Sequence, residues 1–155
     1  MNTNPGIDIQ CAITADGLPS SAQLLQWVQH ALRDRAADAE LTLRIVDEAE
    51  ITALNSRYRG KDGPTNVLAF PYQPLPGVES GLLGDIVICV PVVAREAVAQ
   101  GKSLEEHWAH IIIHGVLHLL GHEHKEAEEA GRMEQLETQL LGQLGYSDPY
   151  QARIG

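Results

Sequence analysis

The sequence predicts a single α+β domain: a four-stranded mixed sheet packed with about five helices. Two observations carry that prediction. Residues 7–13, 40–46, 67–70 and 84–90 show the alternation or the compact apolar run of strands. The segments between and after them space apolar residues helically and begin on capping residues. A length of 155 residues suits one domain spanning 1–155, large enough to bury its own core.

The elements follow in order. IDIQCAI at 7–13 alternates as a strand. Ser20 and Ser21 can cap a helix carrying Leu24, Leu25, Val28 and Leu32 on one stripe. ELTLRIV at 40–46 alternates again. Asp47 can cap a helix to about Tyr58 that turns Ile51 and Leu54 inward. RGKDGPT at 59–65 is a loop by its Gly, Asp and Pro, and VLAF at 67–70 is a strand ended by Pro71. Residues 72–82 are a Pro/Gly-rich exposed connection. GDIVICV at 84–90 is the fourth strand. Pro91 suits the first turn of a helix running to about Gln100. Ser103 and Glu106 form a capping box that opens an apolar helix ending near Gly121. A last helix covers about 126–143, with Met133, Leu136, Leu140 and Leu141 on one face and Glu128, Glu129 and Glu137 on the other. The tail from about Tyr146 is expected to be loosely attached.

Composition excludes some classes of function. The net charge of −10 argues against broad, non-specific capture of nucleic acid, though a local basic patch can sit on an acidic body. No apolar run reaches the roughly 20 residues that span a bilayer. The start, MNTNPGIDIQ, lacks a cationic cluster followed by an apolar stretch, so no secretory leader is expected. Cys11 and Cys89 lie in apolar, strand-like segments and read as buried free thiols of a cytoplasmic protein.

The segment HIIIHGVLHLLGHEH, residues 110–124, carries the chemistry. His114 and His118 are four apart and share one helix face, so both imidazoles can hold one ion from the same side. Gly121 can end the helix in a left-handed turn and bring His124 in as a third nitrogen. Three protein ligands leave a fourth tetrahedral position for water, the pattern of a catalytic zinc site. One Zn²⁺ on His114, His118 and His124 is therefore expected. His122 in the turn competes with His124 for the third place, and His110, one turn earlier, reads as packed or solvated, with support of a metal ligand as its alternative role.

The spacing His-x-x-x-His-x-x-Gly-x-x-His gives a zincin-like helix, as in the metzincin proteases. Those place a glutamate directly after the first histidine as general base. Here that position is Gly115, which cannot take a proton. Glu123 reads as a turn residue, and Met133 as helix core. A metallopeptidase is thus disfavoured.

The run His114-Gly-Val-Leu-His118-Leu-Leu-Gly121-His-Glu-His124 resembles the signature of the YbeY family of bacterial rRNA maturation endoribonucleases. Two further blocks are similar to that family: Asn55 to Pro71, with Tyr58, Arg59, Asp62, Pro64, Thr65 and Asn66, and Leu83-Gly84-Asp85-Ile86 followed by Glu96-Ala97. The blocks are collinear over about residues 40–125. Departures are His122 in place of an aromatic, Glu123 in place of Asp, and Ala69 in place of Ser.

The resemblance implies a single-strand-specific, metal-dependent RNase of 16S rRNA 3′-end maturation and ribosome quality control, with one zinc on three histidines. It also implies a functional arginine near the metal, which matches Arg59. Partners would then be single-stranded rRNA and the ribosome or small-subunit assembly particles, with no membrane. Arg57, Arg59 and Lys61 cluster around Tyr58, and a guanidinium fork suits two phosphate oxygens. Cations beside an aromatic platform suit single-stranded RNA. The same three cations could instead merely complement a helix C-terminus. The competing reading is a ribosome-assembly factor whose zinc mainly stabilises the fold.

Overall fold

The computed structural model describes residues 6–15, 17–33, 39–72, 81–121 and 127–150. Its elements are β1 (Ile7–Cys11), α1 (Ser21–Leu32), β2 (Glu40–Val46), α2 (Glu48–Arg59), β3 (Val67–Pro71), β4 (Leu82–Cys89), α3 (Val90–Ala99), α4 (Leu104–Leu119) and α5 (Ala127–Gln143). The four strands form one mixed sheet in the order β1-β2-β4-β3. The pairs β1–β2 and β2–β4 are parallel, and β3–β4 is antiparallel. The expected α+β domain of four strands and five helices is what forms.

Local chemistry sets the helix starts. Ser20 Oγ accepts from the Gln23 amide at 3.1 Å, Asp47 Oδ1 from Glu50 at 2.9 Å, and Ser103 Oγ from Glu106 at 3.1 Å. Each satisfies an amide that the first helical turn leaves without a carbonyl. Element ends differ from expectation by a residue or two. β1 stops at Cys11, although the Ala12 amide still reaches the Ile45 carbonyl at 2.9 Å, and β4 begins at Leu82.

Alternation along the central strands divides the core between two faces. Leu41, Leu43, Ile45, Ile86 and Ile88 join α1, α4 and α5 in the main core. Val46, Leu68, Val87 and Cys89 pack with Ile51 of α2 and Val92 of α3 in a smaller core on the other face. α4 is the central helix. Trp108, Ala109, Ile111, Ile112, Ile113, Gly115, Val116, Leu117 and Leu119 are all buried, so it is apolar on nearly every side. Among the described residues no helix is long and apolar enough to cross a membrane.

Arg44 of β2 grips Glu50 of α2 through two bonds, at 2.5 and 2.9 Å, and so helps seat α2 on the sheet. Both cysteines are free. Cys89 is buried as expected, but Cys11 is exposed, because it ends a strand at the rim of the sheet. Residues 146–150 are tied down rather than loose. Tyr146 Oη donates to Glu105 at 2.9 Å and Tyr150 Oη to Glu137 at 2.6 Å. Two tail hydroxyls finding carboxylates on helices is what the sequence reading missed.

Gly84 sits at a bulge of β4, close against β3. Leu41 pairs with Gly84 while its neighbour Glu40 pairs with Leu82, so Leu83 is an extra residue in β4. Gly84 has φ +142°, and a Cβ there would lie 2.1 Å from the Phe70 carbonyl oxygen. Gly84→Ala must therefore shift β3 or β4. It is expected to lower stability by about 2 kcal/mol or more. Urea unfolding would show this as a reduced midpoint with an unchanged slope.

Candidate active site

The site is assembled from the C-terminus of α2, the loop after it, β3 and the histidine-bearing face of α4. Tyr58, Arg59, Thr65, Asn66, Val67, Leu68, Ala69, Phe70, His114, Gly115 and His118 line one cavity of about 510 Å³. Arg59 and the two helix histidines, far apart in sequence, thus face one space.

α2 delivers Arg59 through a specific C-terminus. Gly60 takes φ +64°, and its amide and that of Lys61 bond back to the Ser56 and Asn55 carbonyls at 3.1 and 3.4 Å. Asn55 is buried, and its Nδ2 donates to the Gly63 carbonyl at 3.0 Å, which pins the following loop. The Arg57 guanidinium lies 5.5 Å from the Tyr58 ring centroid, and Tyr58 meets Phe70 edge to face at 5.3 Å. Arg57 is thereby committed to an aromatic face, whereas Arg59 reaches the cavity.

α4 delivers the histidines. His107, His110, His114 and His118 follow one another at intervals of three, four and four residues, a single polar stripe on an otherwise apolar helix. His118 Nε2 stands 3.1 Å from His114 Nε2. His114 Nδ1 donates to Glu137 Oε1 at 2.8 Å, and His110 Nε2 meets the same oxygen at 3.1 Å. Tyr150 Oη donates to the other oxygen. Glu137 is almost wholly buried. Burial alone would push its carboxyl up, but the hydrogen bonds from His110 and His114 outweigh that and hold it down to about 2. His110, His114 and Glu137 each offer an atom within 4.8 Å of the others, a group that can hold a metal ion.

The first turn of α4 is tied to the loop of the cavity. Glu96 Oε1 lies 2.9 Å from His107 Nε2 and accepts from Asn66 Nδ2 at 3.1 Å. Asn66 also receives the Cys89 amide on its carbonyl at 2.9 Å. Glu96 of α3 therefore bridges α4 to a residue that lines the cavity.

Comparison with known proteins decides the family. The model of the family Endoribonuclease YbeY matches residues 11–145. The chain belongs to the YbeY family. It is accordingly an endoribonuclease with a role in rRNA processing. The solution structure of TM1509 from Thermotoga maritima is similar, at 25% sequence identity and a TM-score of 0.56 over 94% of this chain and 99% of that one.

Within this YbeY-family chain, His114 and His118 come together and Arg59 faces them. His122, Glu123 and His124 lie outside the described residues. Gly121 takes φ +100° directly after α4, the left-handed turn expected there. Met133 is buried in the main core, as expected of helix packing. Two residues correct the sequence reading. Glu137 is on the inner face of α5, not the solvent side. Its spacing of four after Met133 and three before Leu140 already placed it on the apolar stripe. His110 is bonded to that carboxylate rather than simply packed or solvated. His107 was passed over, although it lies on the same stripe as His114.

His107 makes a pH prediction. Its ring is buried, which lowers its pKa despite the opposing pull of Glu96. The unfolded chain then takes up a proton near pH 6.5 that the folded chain does not. Stability contributed by neutral His107 is thus complete at higher pH and is lost as pH falls through about 6.5 toward the depressed folded value. Urea midpoints measured from about pH 7.5 to 5.5 should fall less steeply for His107→Gln than for the parent protein.

Proposed function

We propose that the protein is a single-strand-specific, zinc-dependent endoribonuclease of 16S rRNA 3′-end maturation and ribosome quality control. His114, His118 and His124 are the metal ligands and Arg59 is the catalytic cation. The observation that carries this reading is the pair of Nε2 atoms, 3.1 Å apart, in the cavity that Arg59 also lines. Two imidazoles at about 2.0–2.1 Å from one tetrahedral ion stand about 3.3 Å apart, so the pair fits zinc. When bound, the ion supplies Lewis acidity and an activated water.

The chain's own residues do the rest. Arg59, always charged, offers a planar fork to two oxygens of the scissile phosphate and offsets charge gathering there. Tyr58 and Phe70 on the cavity wall give unpaired bases an aromatic surface, which favours single strands over a stacked duplex. Gly115 lines the cavity but carries no carboxylate where a peptidase would keep its base, which supports phosphodiester over peptide chemistry. The net charge of −10 supports action on assembling small subunits, with their rRNA and associated proteins, over indiscriminate RNA capture. A cytoplasmic location follows from that role.

His114→Ala and Arg59→Ala should each reduce cleavage of single-stranded RNA by at least about 100-fold, and only His114→Ala should lose zinc. Metal content and gel-resolved cleavage of nuclease-free protein read both outcomes. Normal cleavage by Arg59→Glu would remove Arg59 from the mechanism. Chelation that merely lowers the melting temperature, with no RNA cut at any enzyme concentration, would favour an assembly factor with a fold-stabilising zinc.

A further inference from the structure

The C-terminal segment reaches the metal-site helix at one buried point. Glu137 receives three donors: His110 and His114 on Oε1, and Tyr150 on Oε2. An ionised carboxylate only accepts, so each partner must present a hydrogen. For His114 that puts the hydrogen on Nδ1 and leaves the Nε2 lone pair turned toward His118. For His110 it puts the hydrogen on Nε2, and His110 Nδ1 is a buried atom without a partner among the described residues. The network thus leaves one buried acceptor unsatisfied while keeping the donation to Glu137.

Tyr150 is built into this arrangement. Its ring stands edge to face on His110, with centroids 5.4 Å apart. Its amide donates to Asp148 Oδ1 at 2.8 Å, and that oxygen lies 3.3 Å from Thr138 Oγ1 of α5. Upstream, Tyr146 packs on the main core, and its amide caps α5 on the Leu141 carbonyl at 3.0 Å. Burial, and then the neighbouring Glu137, push the Tyr150 phenol up, so it keeps its proton and remains a donor. Tyr150 lies beyond residue 145, where the family match ends.

We propose that Glu137 and Tyr150 are positioning residues for the metal centre: Glu137 fixes the His114 ring with Nε2 facing His118, and Tyr150 holds Glu137 in that pose. This rests on the reading that His114 and His118 bind the ion through Nε2. A carboxylate on the far nitrogen of a metal-bound imidazole sets its tautomer and raises its basicity. The C-terminal segment therefore tunes metal affinity without touching the metal.

The test is zinc alone, titrated into metal-stripped full-length protein in competition with a chromophoric chelator. Glu137→Gln should weaken binding by about 10–100-fold, Tyr150→Phe should shift it less in the same direction, and His118→Ala should lose more than either. Long-range proton–nitrogen correlation spectra of the metal-free protein at mildly alkaline pH supply a readout that packing alone would not move. His114 should be the Nδ1–H tautomer in the parent and a mixture in Glu137→Gln. If His118→Ala loses zinc while Glu137→Gln and Tyr150→Phe bind it like the parent and keep the tautomer, the positioning role is wrong and the ligand assignment stands. If His118→Ala binds like the parent while Glu137→Gln and His110→Ala fail, the ligand assignment is wrong and Glu137 is itself a ligand.

Discussion

A helix that carries four imidazoles along one largely buried stripe needs polar partners for those rings. Most of α4 is apolar and sits between the sheet and three other helices, so water cannot serve the whole stripe. Two carboxylates do so instead. Glu96 comes from α3 to the first turn, and Glu137 comes from α5 to the middle. An unpaired carboxylate at the depth of Glu137 would cost several kcal/mol. Three converging donors offset that cost, and they fix the rotation of α4 against its neighbours at the same time. The last histidine of the stripe, His118, is left at the cavity.

The second half of the site depends on a different kind of constraint. Arg59 is exposed at the end of α2, and among the described residues no buried bond holds its side chain. What is fixed is the platform beneath it: the left-handed Gly60, the buried Asn55 closing the loop, and the Arg44–Glu50 pair seating the helix. A fixed base under an exposed cation suits the proposed role, in which Arg59 meets a large, flexible polyanion. In that proposal the histidines supply preorganisation and the arginine supplies reach.

Much of this was legible in the residues because it is local. Strand alternation, the Ser20, Asp47 and Ser103 caps, and the i, i+4 pair of His114 and His118 all follow from short-range periodicity. What was hidden lies across long sequence separations. Glu137 was placed outward because glutamate normally faces water, and nothing near it in sequence announces the two histidines more than twenty positions earlier. Its helical spacing from Met133 and Leu140 was the available signal. The same limit hid Tyr150 and Tyr146, whose roles depend on hydroxyls that find partners on other helices. Arg59 was singled out only through the resemblance, since spacing alone left it level with Arg57 and Lys61. In the structure Arg57 lies over Tyr58, and of the three only Arg59 lines the cavity.

Gly115 was first notable for the base it lacks, and its surroundings add a second meaning. A Cβ at this position would stand 3.0 Å from Ile86 Cγ2 and 3.3 Å from its Cδ1. The helix rests on the sheet there with no room for even a methyl group unless Ile86 gives way. Any side chain installed there must first displace Ile86 at the seam between α4 and β4. Zincin-like ligand spacing and zincin-like proton transfer are therefore linked in this fold through packing, and a path from nuclease to peptidase would have to accommodate Ile86 as well as alter the chemistry.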